Sequence, residues 1–139
     1  MHQLLNFLIK IHPLILHIEL EQIEFVKSEN GSSIEIDHIV SLSDAWQKGA
    51  QQWNSQLRKD FANDPLNLTA TSREANRQKS DSDAASWLPS NKAIRCAFIA
   101  RQIAVKSAYQ IWVTQAEFDA MSIVLESCPD EPIANSGML

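Results

Sequence analysis

Glycine and cysteine are both scarce in this chain of 139 residues, which holds 3 glycines and 2 cysteines. Because glycine is rare and strong helix formers are common, we expect a mostly helical chain. Two cysteines are too few for a disulfide scaffold, and their spacing is not that of a zinc site. The length allows one domain with a modest core, and the apolar fraction of 45% is ordinary for a globular protein.

The chain also lacks an apolar run long enough for a transmembrane helix, which takes about 20 residues. Its most apolar stretch, residues 4–18, is interrupted by Lys10, His12 and Pro13. The stretch is a poor signal peptide as well, since Lys10 is its only early basic side chain and no A-x-A-like site follows. Residues 1–33 therefore stay unassigned: a core segment such as a strand, a degraded export signal and a start unrelated to the rest all fit.

Positive charge is in short supply, with 12 basic against 17 acidic residues and a net charge of −5. The average conceals a basic middle, because residues 84–116 carry bases but no acid. These bases are Lys92, Arg95, Arg101 and Lys106. A basic stretch between acidic flanks can face a polyanion such as nucleic acid, and it can equally be a solvated helix face.

The first half of the chain predicts strands around one long helix. A β-hairpin is predicted from residues 20–26 and the run IEIDHIV, which are separated by the turn signal Asn30-Gly31. A helix is predicted over Ser43–Ala62, capped by Ser43, with an apolar face typical of a core. That face consists of Trp46, Ala50, Trp53, Leu57 and Phe61. Pro65 ends the helix, and a short strand is predicted over Leu66–Ala70.

The second half of the chain predicts three helices. A capping box of Thr71 with Glu74 starts a helix near residue 72, and Ser90 or Asn91 caps a longer helix that ends near residue 112. The face expected to be buried on the longer helix is Ile94, Ala97, Phe98, Arg101, Val105, Ala108 and Trp112.

A second capping box, Thr114 with Glu117, starts the last predicted helix, which ends near Ser127. Its expected buried residues are Phe118, Met121 and Leu125. The tail over residues 129–139 is expected to be loose. Together these elements predict an α+β fold.

The two cysteines are predicted to lie at the same level of an antiparallel helical hairpin. Cys96 precedes Trp112 by 16 residues and Cys128 follows Thr114 by 14, which at the helical rise is roughly 24 Å and 21 Å. A disulfide between them would need an oxidising compartment. Two unrelated buried thiols are the alternative.

Asp37 and His38 stand side by side in the strand-like run EIDHIVSL, where a core strand has little use for polar groups that are costly to bury. Asn67 follows on the next predicted strand, and Asn76 lies 9 residues later on the following helix. Each alone has an ordinary explanation, as a turn former, a half-buried His, a loop-closing Asn or a solvated helix residue. Together they form an ordered set along strand, strand and helix.

These residue types suit phosphodiester hydrolysis, which needs a base for the attacking water and a cation to take up negative charge. His titrates near neutrality and can act as that base. A carboxylate and an amide oxygen are hard ligands that suit Mg²⁺ or Mn²⁺ better than zinc. Neighbouring strand residues point to opposite faces, so Asp37 and His38 can converge on one site only where the chain twists or bulges.

The runs IDHIVSL, DPLNL and SREANRQKSD resemble the HNH, or ββα-metal, endonucleases over about residues 34–128. More narrowly, the chain is similar to a bacterial HNH family of secreted nucleases and C-terminal nuclease domains of modification-dependent restriction systems. The resemblance implies a small ββα-metal core with an inserted helix, packed against a C-terminal antiparallel helical hairpin. Residues 1–33 lie outside it.

The resemblance also implies roles for individual residues. His38 matches the general base, and Asn67 matches the middle Asn that ties the hairpin together and orients this base. Asp37 and Asn76 match the ligands of Mg²⁺ or Mn²⁺, although Asn76 replaces the final His of the family's name. The positions that match the family's basic residues near the scissile phosphate are Lys79 and, more weakly, Arg77 and Arg73.

The function implied by the resemblance is a metal-dependent endonuclease with DNA as its partner and no membrane. A restriction or immunity partner is left open. Secretion or a periplasmic location is favoured, and the cytoplasm is expected if the disulfide does not form. The alternatives are a nucleic-acid-binding module that no longer cuts and a truncated copy that folds poorly.

Overall fold

The fold is α+β, as predicted. The computed structural model describes residues 34–132, so the predicted strand over residues 20–26, the remaining N-terminal segment and the end of the tail lie outside the described residues. The two strands are β1 (Ile34–His38) and β2 (Leu68–Ser72). The five α-helices are α1 (Leu42–Gln47), α2 (Ser55–Asn63), α3 (Arg73–Lys79), α4 (Arg95–Tyr109) and α5 (Gln115–Glu126).

The strands β1 and β2 form an antiparallel pair without a bulge, in which Asp37 lies opposite Thr69 and His38 opposite Leu68. The strand predicted over Leu66–Ala70 begins two residues later, because Pro65–Asn67 forms a 3-10 turn. Proline suits the first position of such a turn since its φ is already helical. Asn67 therefore lies in the turn that enters β2 rather than on the strand.

The prediction of one helix over Ser43–Ala62 was wrong. The chain forms α1, a 3-10 turn over Ala50–Gln52 and then α2. Gly49 has a φ of 132°, which a helix cannot contain, and Asn54 caps α2 by accepting a hydrogen bond from Leu57 N. The first cap is Ser41, not Ser43.

Because the helix is broken, Trp46 leaves the predicted apolar face. Its side chain is 48% exposed, and the Arg58 guanidinium lies 4.8 Å from the centre of its ring. Ala50 and Phe61 are buried as predicted, and Trp53 packs against them.

The later helices follow their predicted caps more closely than their predicted faces. Ser72 caps α3, one residue after the predicted Thr71, and Thr114 caps α5 as predicted. Asn91 caps the 3-10 turn Lys92–Ile94 that leads into α4.

Three residues expected to be buried on the last two helices are exposed. α4 ends at Tyr109, where Gln110 takes the left-handed conformation, so Trp112 leaves the predicted face and lies in solvent. Ala108, in the last turn of α4, is exposed as well. Phe118 is 57% exposed on α5, while Met121 is buried as expected. Sequence periodicity locates the helices but leaves the orientation of their ends to the packing.

Helix α4 is the centre of the domain and packs against a cluster of buried residues on each side. One cluster joins it to the loop after β1, to α2 and to the turn before β2, and consists of Val40, Ala45, Ala50, Phe61, Leu66, Ala104, Val105 and Ile111. The other joins it to α5 and consists of Ala84, Ile99, Met121 and Val124. Burying each large side chain in these clusters contributes about 1.5–3 kcal/mol.

Cys96 and Cys128 form a disulfide, with their Cα atoms 6.3 Å apart. This confirms the predicted pairing. Cys96 lies at the start of α4 and Cys128 just after the end of α5, so the two helices run antiparallel. Within residues 34–132, no helix is both long and apolar enough to cross a membrane.

Candidate active site

One face of β1 presents its carboxylates to α3. Asp37 Oδ2 lies 2.9 Å from Lys79 Nζ. Glu35, two residues earlier and therefore on the same face, accepts hydrogen bonds from Asn76 Nδ2 at 2.8 Å and Arg73 Nε at 3.0 Å. The structure thus joins Asp37 to Lys79 and Asn76 to Glu35, across the same strand–helix contact.

Glu35 is a member of this site that the sequence analysis missed. The hydrogen bond from Asn76, and then that from Arg73, holds the pKa of the Glu35 carboxyl below its usual value. The group is therefore a carboxylate at neutral pH. A period-2 reading of the strand could have found it, since Glu35 and Asp37 must share a face.

His38 lies on the opposite face of β1, at its last residue. Its Nε2 is 2.9 Å from the carbonyl oxygen of Ala62 in α2. A carbonyl oxygen only accepts hydrogen bonds, so in the neutral ring Nε2 carries the proton and Nδ1 has the free lone pair. No bulge interrupts the pairing over Ile34–His38, so Asp37 and His38 leave the strand in opposite directions.

Asn67 joins the two strands where β1 ends. Its Oδ1 accepts a hydrogen bond from Val40 N at 2.8 Å, and its Nδ2 donates to Val40 O at 3.2 Å. Its backbone carbonyl accepts from Ile39 N at 2.8 Å. The side chain is fully buried. It fixes Val40, while the backbone carbonyl fixes Ile39, so Asn67 holds both residues that follow His38.

A cleft of about 120 Å³ opens beside Asp37, between strands β1 and β2, helix α3 and the first turns of α4. Its apolar wall includes Trp87, Pro89, Ile94 and Phe98, and its polar wall includes Thr69, Thr71, Gln78 and Lys79.

Arg101 anchors the cleft from below. It is buried and donates hydrogen bonds to the carbonyl oxygens of Pro65, Leu66 and Leu68. The cleft is therefore built into the folded domain and is not a gap between loose loops.

The basic residues singled out in the sequence do not share one surface. Arg73 and Arg77 are exposed on α3, whereas Lys79 is only 2% exposed and lines the cleft. In the basic middle of the chain, Arg101 and Lys106 are buried. These two residues therefore belong neither to a solvated helix face nor to a surface that could face a polyanion.

Sequence reasoning also missed a buried charge network in the middle of the domain. Lys48 Nζ lies 2.5 Å from Asp44, 2.8 Å from Asp83 and 2.6 Å from Glu117. Lys106 Nζ pairs with Asp44 at 2.8 Å and also with Glu117. The network joins α1, α4, α5 and the loop after α3.

At Lys48 and Asp83 the ion pairs outweigh the effect of burial on the pKa. Burial disfavours charged Lys48, but its hydrogen bonds to Asp44, Asp83 and Glu117 raise its pKa overall. Burial likewise favours neutral Asp83, yet the hydrogen bond from Lys48 and its charge hold the pKa of the carboxyl below its usual value. Both groups are therefore charged at neutral pH.

The carboxylates of this network come close enough to be considered as metal ligands. One oxygen from each of Asp44, Asp83 and Glu117 lies within 4.8 Å of the others. The Lys48 ammonium already contacts all of them, and Lys106 contacts two. Two lysines among three carboxylates make the group an internal ion-pair cluster, which suits a structural role better than a cation site.

Comparison with known proteins places the chain among nuclease-related domains. The family described as "GmrSD restriction endonucleases, C-terminal domain" matches residues 9–124, beginning upstream of Ile34 where the sequence resemblance starts. An "Uncharacterized secreted protein" of Arthroderma benhamiae (strain ATCC MYA-4681 / CBS 112371) is 39% identical over 99 residues, or 70% of this chain. The alignment covers 48% of that relative, so the chain spans about half its length. No solved structure matches the chain.

Proposed function

The chain belongs to the family of GmrSD restriction endonuclease C-terminal domains, and we propose that it is a metal-dependent endonuclease of the HNH type that hydrolyses phosphodiester bonds in DNA. The observation that carries the proposal is the placement of four residues on one strand–strand–helix unit. Asp37 and His38 lie at the end of β1, Asn67 in the turn into β2, and Asn76 on α3. The Asn67 side chain holds the chain directly after His38.

The residues of this unit fit a hard divalent cation such as Mg²⁺ or Mn²⁺. Asp37 supplies a carboxylate and Asn76 an amide oxygen. Glu35 accepts the hydrogen bond from Asn76 Nδ2, and since a carboxylate can only accept, the amide oxygen of Asn76 must point away from Glu35. Glu35 therefore orients Asn76 as an oxygen ligand. When bound, the cation would take up charge on the phosphate and the leaving oxygen.

His38 is the proposed general base. The bond to Ala62 O keeps the proton on Nε2 and leaves Nδ1 able to accept one. Because His38 leaves β1 on the face opposite Asp37, this role requires that the substrate pass the end of β1, so that the attacking water meets His38 while the cation is held at Asp37. Asn67 acts on this base through the backbone, because it fixes Val40 and the end of the strand that carries His38. Arg73 and Arg77, exposed on α3, are placed to meet neighbouring phosphates.

A second candidate function is a module that binds nucleic acid without cutting it. The Lys79 ammonium already lies 2.9 Å from Asp37 and offsets the charge of the carboxylate that a cation would need. In such a module Lys79 would stand in the place of the metal. The two functions differ in whether a divalent cation is required for strand breakage.

The disulfide and the secreted relative both support an oxidising location outside the cytoplasm. DNA is the proposed partner, and a restriction or immunity protein as a second partner stays a proposal from the family alone.

Digestion of supercoiled plasmid by the intact chain tests the proposal. We expect the plasmid to be nicked with Mg²⁺ or Mn²⁺. Nicking should be lost in EDTA and in the His38→Ala variant. A matched control is His2→Ala, because the sequence pattern assigns His2 no role. Plasmid that stays intact with every cation while still being bound would favour the non-cleaving module.

A further inference from the structure

We propose that the cleft beside Asp37 holds one unpaired nucleobase next to the phosphodiester bond, so that the enzyme prefers single-stranded or unpaired segments of its substrate. The inference rests on the proposed function, because the occupant is taken to be part of the nucleic acid bound at Asp37. It goes beyond that function in naming which form of the nucleic acid is bound.

The apolar wall of the cleft has the residues that stack on bases. Trp87 and Phe98 pack edge to face, with ring centres 5.7 Å apart and planes at 78°. Both residues line the cleft and are half-buried. Pro89 and Ile94 extend the same wall. Aromatic side chains bind any base by stacking, whatever its sequence.

The polar wall supplies donors and acceptors for the edge of a base. Lys79 is buried and pairs with Asp37 at 2.9 Å, yet among the described residues its Nζ makes no hydrogen bond of good geometry. A buried ammonium in this state has N–H groups to offer to a ligand. The carbonyl oxygens and ring nitrogens of bases are acceptors of the right kind. The Gln78 amide, which both donates and accepts, lines the same wall.

The position of the cleft points to part of the bound nucleic acid as its occupant. Its volume of about 120 Å³ leaves room for a ligand much larger than a single water, which takes roughly 10–15 Å³. Asp37 lines the cleft and is also a proposed cation ligand, so an occupant lies next to the phosphate under attack. A base inside a duplex is stacked and paired and cannot enter a pocket without leaving the helix. An unpaired base avoids that cost.

Binding measured in EDTA tests the inference without cleavage. The probes are a single-stranded oligonucleotide and a fully paired duplex of the same sequence, each with one 2-aminopurine whose fluorescence reports stacking. We expect the single strand to bind more tightly and its fluorescence to be quenched. Trp87→Ala should weaken single-strand binding about 5- to 150-fold, the range for losing one stacked base at about 1–3 kcal/mol, and should change duplex binding little.

Two further variants separate stacking from folding. Trp87→Phe keeps an aromatic ring and should retain most of the affinity, whereas Trp87→Leu fills the space without stacking and should lose it. Trp112→Ala is the matched control, since Trp112 is 55% exposed and does not line the cleft. Equal binding of single strand and duplex, or equal losses in all four variants, would overturn the inference.

The outcome also distinguishes this inference from the proposed function. Metal-dependent nicking with no preference for unpaired bases would rule out the base pocket but support the nuclease. Selective single-strand binding that depends on Trp87, without nicking under any cation, would support the base pocket but rule out nuclease activity.

Discussion

The ammonium of Lys48 lies 2.6 Å from the Oε2 atom of Glu117, which follows it by 69 residues in the chain. Glu117 is fully buried and Lys48 nearly so. The pair ties the short first helix to the start of the last one. It also explains why only half of the predicted capping box forms: Thr114 caps α5, but the Glu117 side chain turns to the lysines instead of back to the cap.

Replacing Glu117 by Gln should destabilise the protein by about 3–5 kcal/mol, because two buried lysines lose a shared counter-charge. Urea unfolding at pH 7 measures the change. Glu126→Gln, at an exposed position of the same helix, is the control and should stay within about 0.5 kcal/mol of the parent. A Glu117→Gln variant as stable as this control would show that the network adds no stability.

The same network predicts how stability depends on pH. The pKa of Asp83 is lowered in the folded state, so its contribution is present above its unfolded pKa of about 3.9 and is lost as the pH falls through the folded value. The pKa of Lys48 is raised, so its contribution is present below about 10.4 and is lost as the pH rises through the folded value. Urea midpoints across this range should form a plateau with a decline at each end. Asp83→Asn should remove part of the acid decline, and an acid limb identical to the parent's would contradict the assignment.

His38→Ala should lower the rate of DNA cleavage by about 10²–10⁴, the usual cost of losing a general base. DNA binding should survive, because His38 bonds the Ala62 carbonyl and the proposed phosphate contacts come from Arg73 and Arg77. Single-turnover cleavage and filter binding measure the two effects separately. Turnover close to that of the parent protein would exclude His38 as the base.

Asp37→Ala and Asn76→Ala should each weaken Mn²⁺ binding, because each removes one of the two proposed protein ligands. Isothermal titration calorimetry gives the affinities. Glu35→Gln should have a smaller effect, since Gln can still accept a hydrogen bond from Asn76 while losing the charge. Exposed Glu74→Gln on α3 is the control. If neither substitution changes the Mn²⁺ affinity, the cation is held elsewhere.

Reducing the disulfide should lower the melting temperature by several degrees. Cys96 and Cys128 are 32 residues apart, and closing a loop of this length contributes roughly 3–4 kcal/mol in the chain-entropy model. Each kcal/mol shifts the midpoint by about 2–8 °C for domains near this size. Thermal melts with and without dithiothreitol test this. The Cys96→Ser/Cys128→Ser double variant should melt near the reduced parent and respond to no reductant, and a reductant-insensitive parent would mean that the bond does not form.

Features that depend on neighbouring residues could be predicted from the sequence. Thr114 was identified as a cap, and Asn91 as one of two candidates with Ser90, because a capping side chain bonds the backbone two or three residues ahead. The disulfide followed from helix rise and one short turn. The placement of Asp37, His38, Asn67 and Asn76 along one strand–strand–helix unit could also be predicted, because it rests on the order of those elements in the chain.

Features that depend on distant segments were decided by the tertiary structure alone. The exposure of Trp46, the burial of Lys79 against Asp37 and the ion pairs of Lys48 and Glu117 have no local signal. The break at Gly49 did have one, a glycine followed by the Asn54 cap. A charged side chain looks the same in the sequence whether it lies in water or is buried, and only the packing of remote helices supplies the counter-charge that makes its burial affordable. For the same reason the cleft beside Asp37 could not be foreseen, since its walls come from two strands, two helices and a loop that meet only in the folded chain.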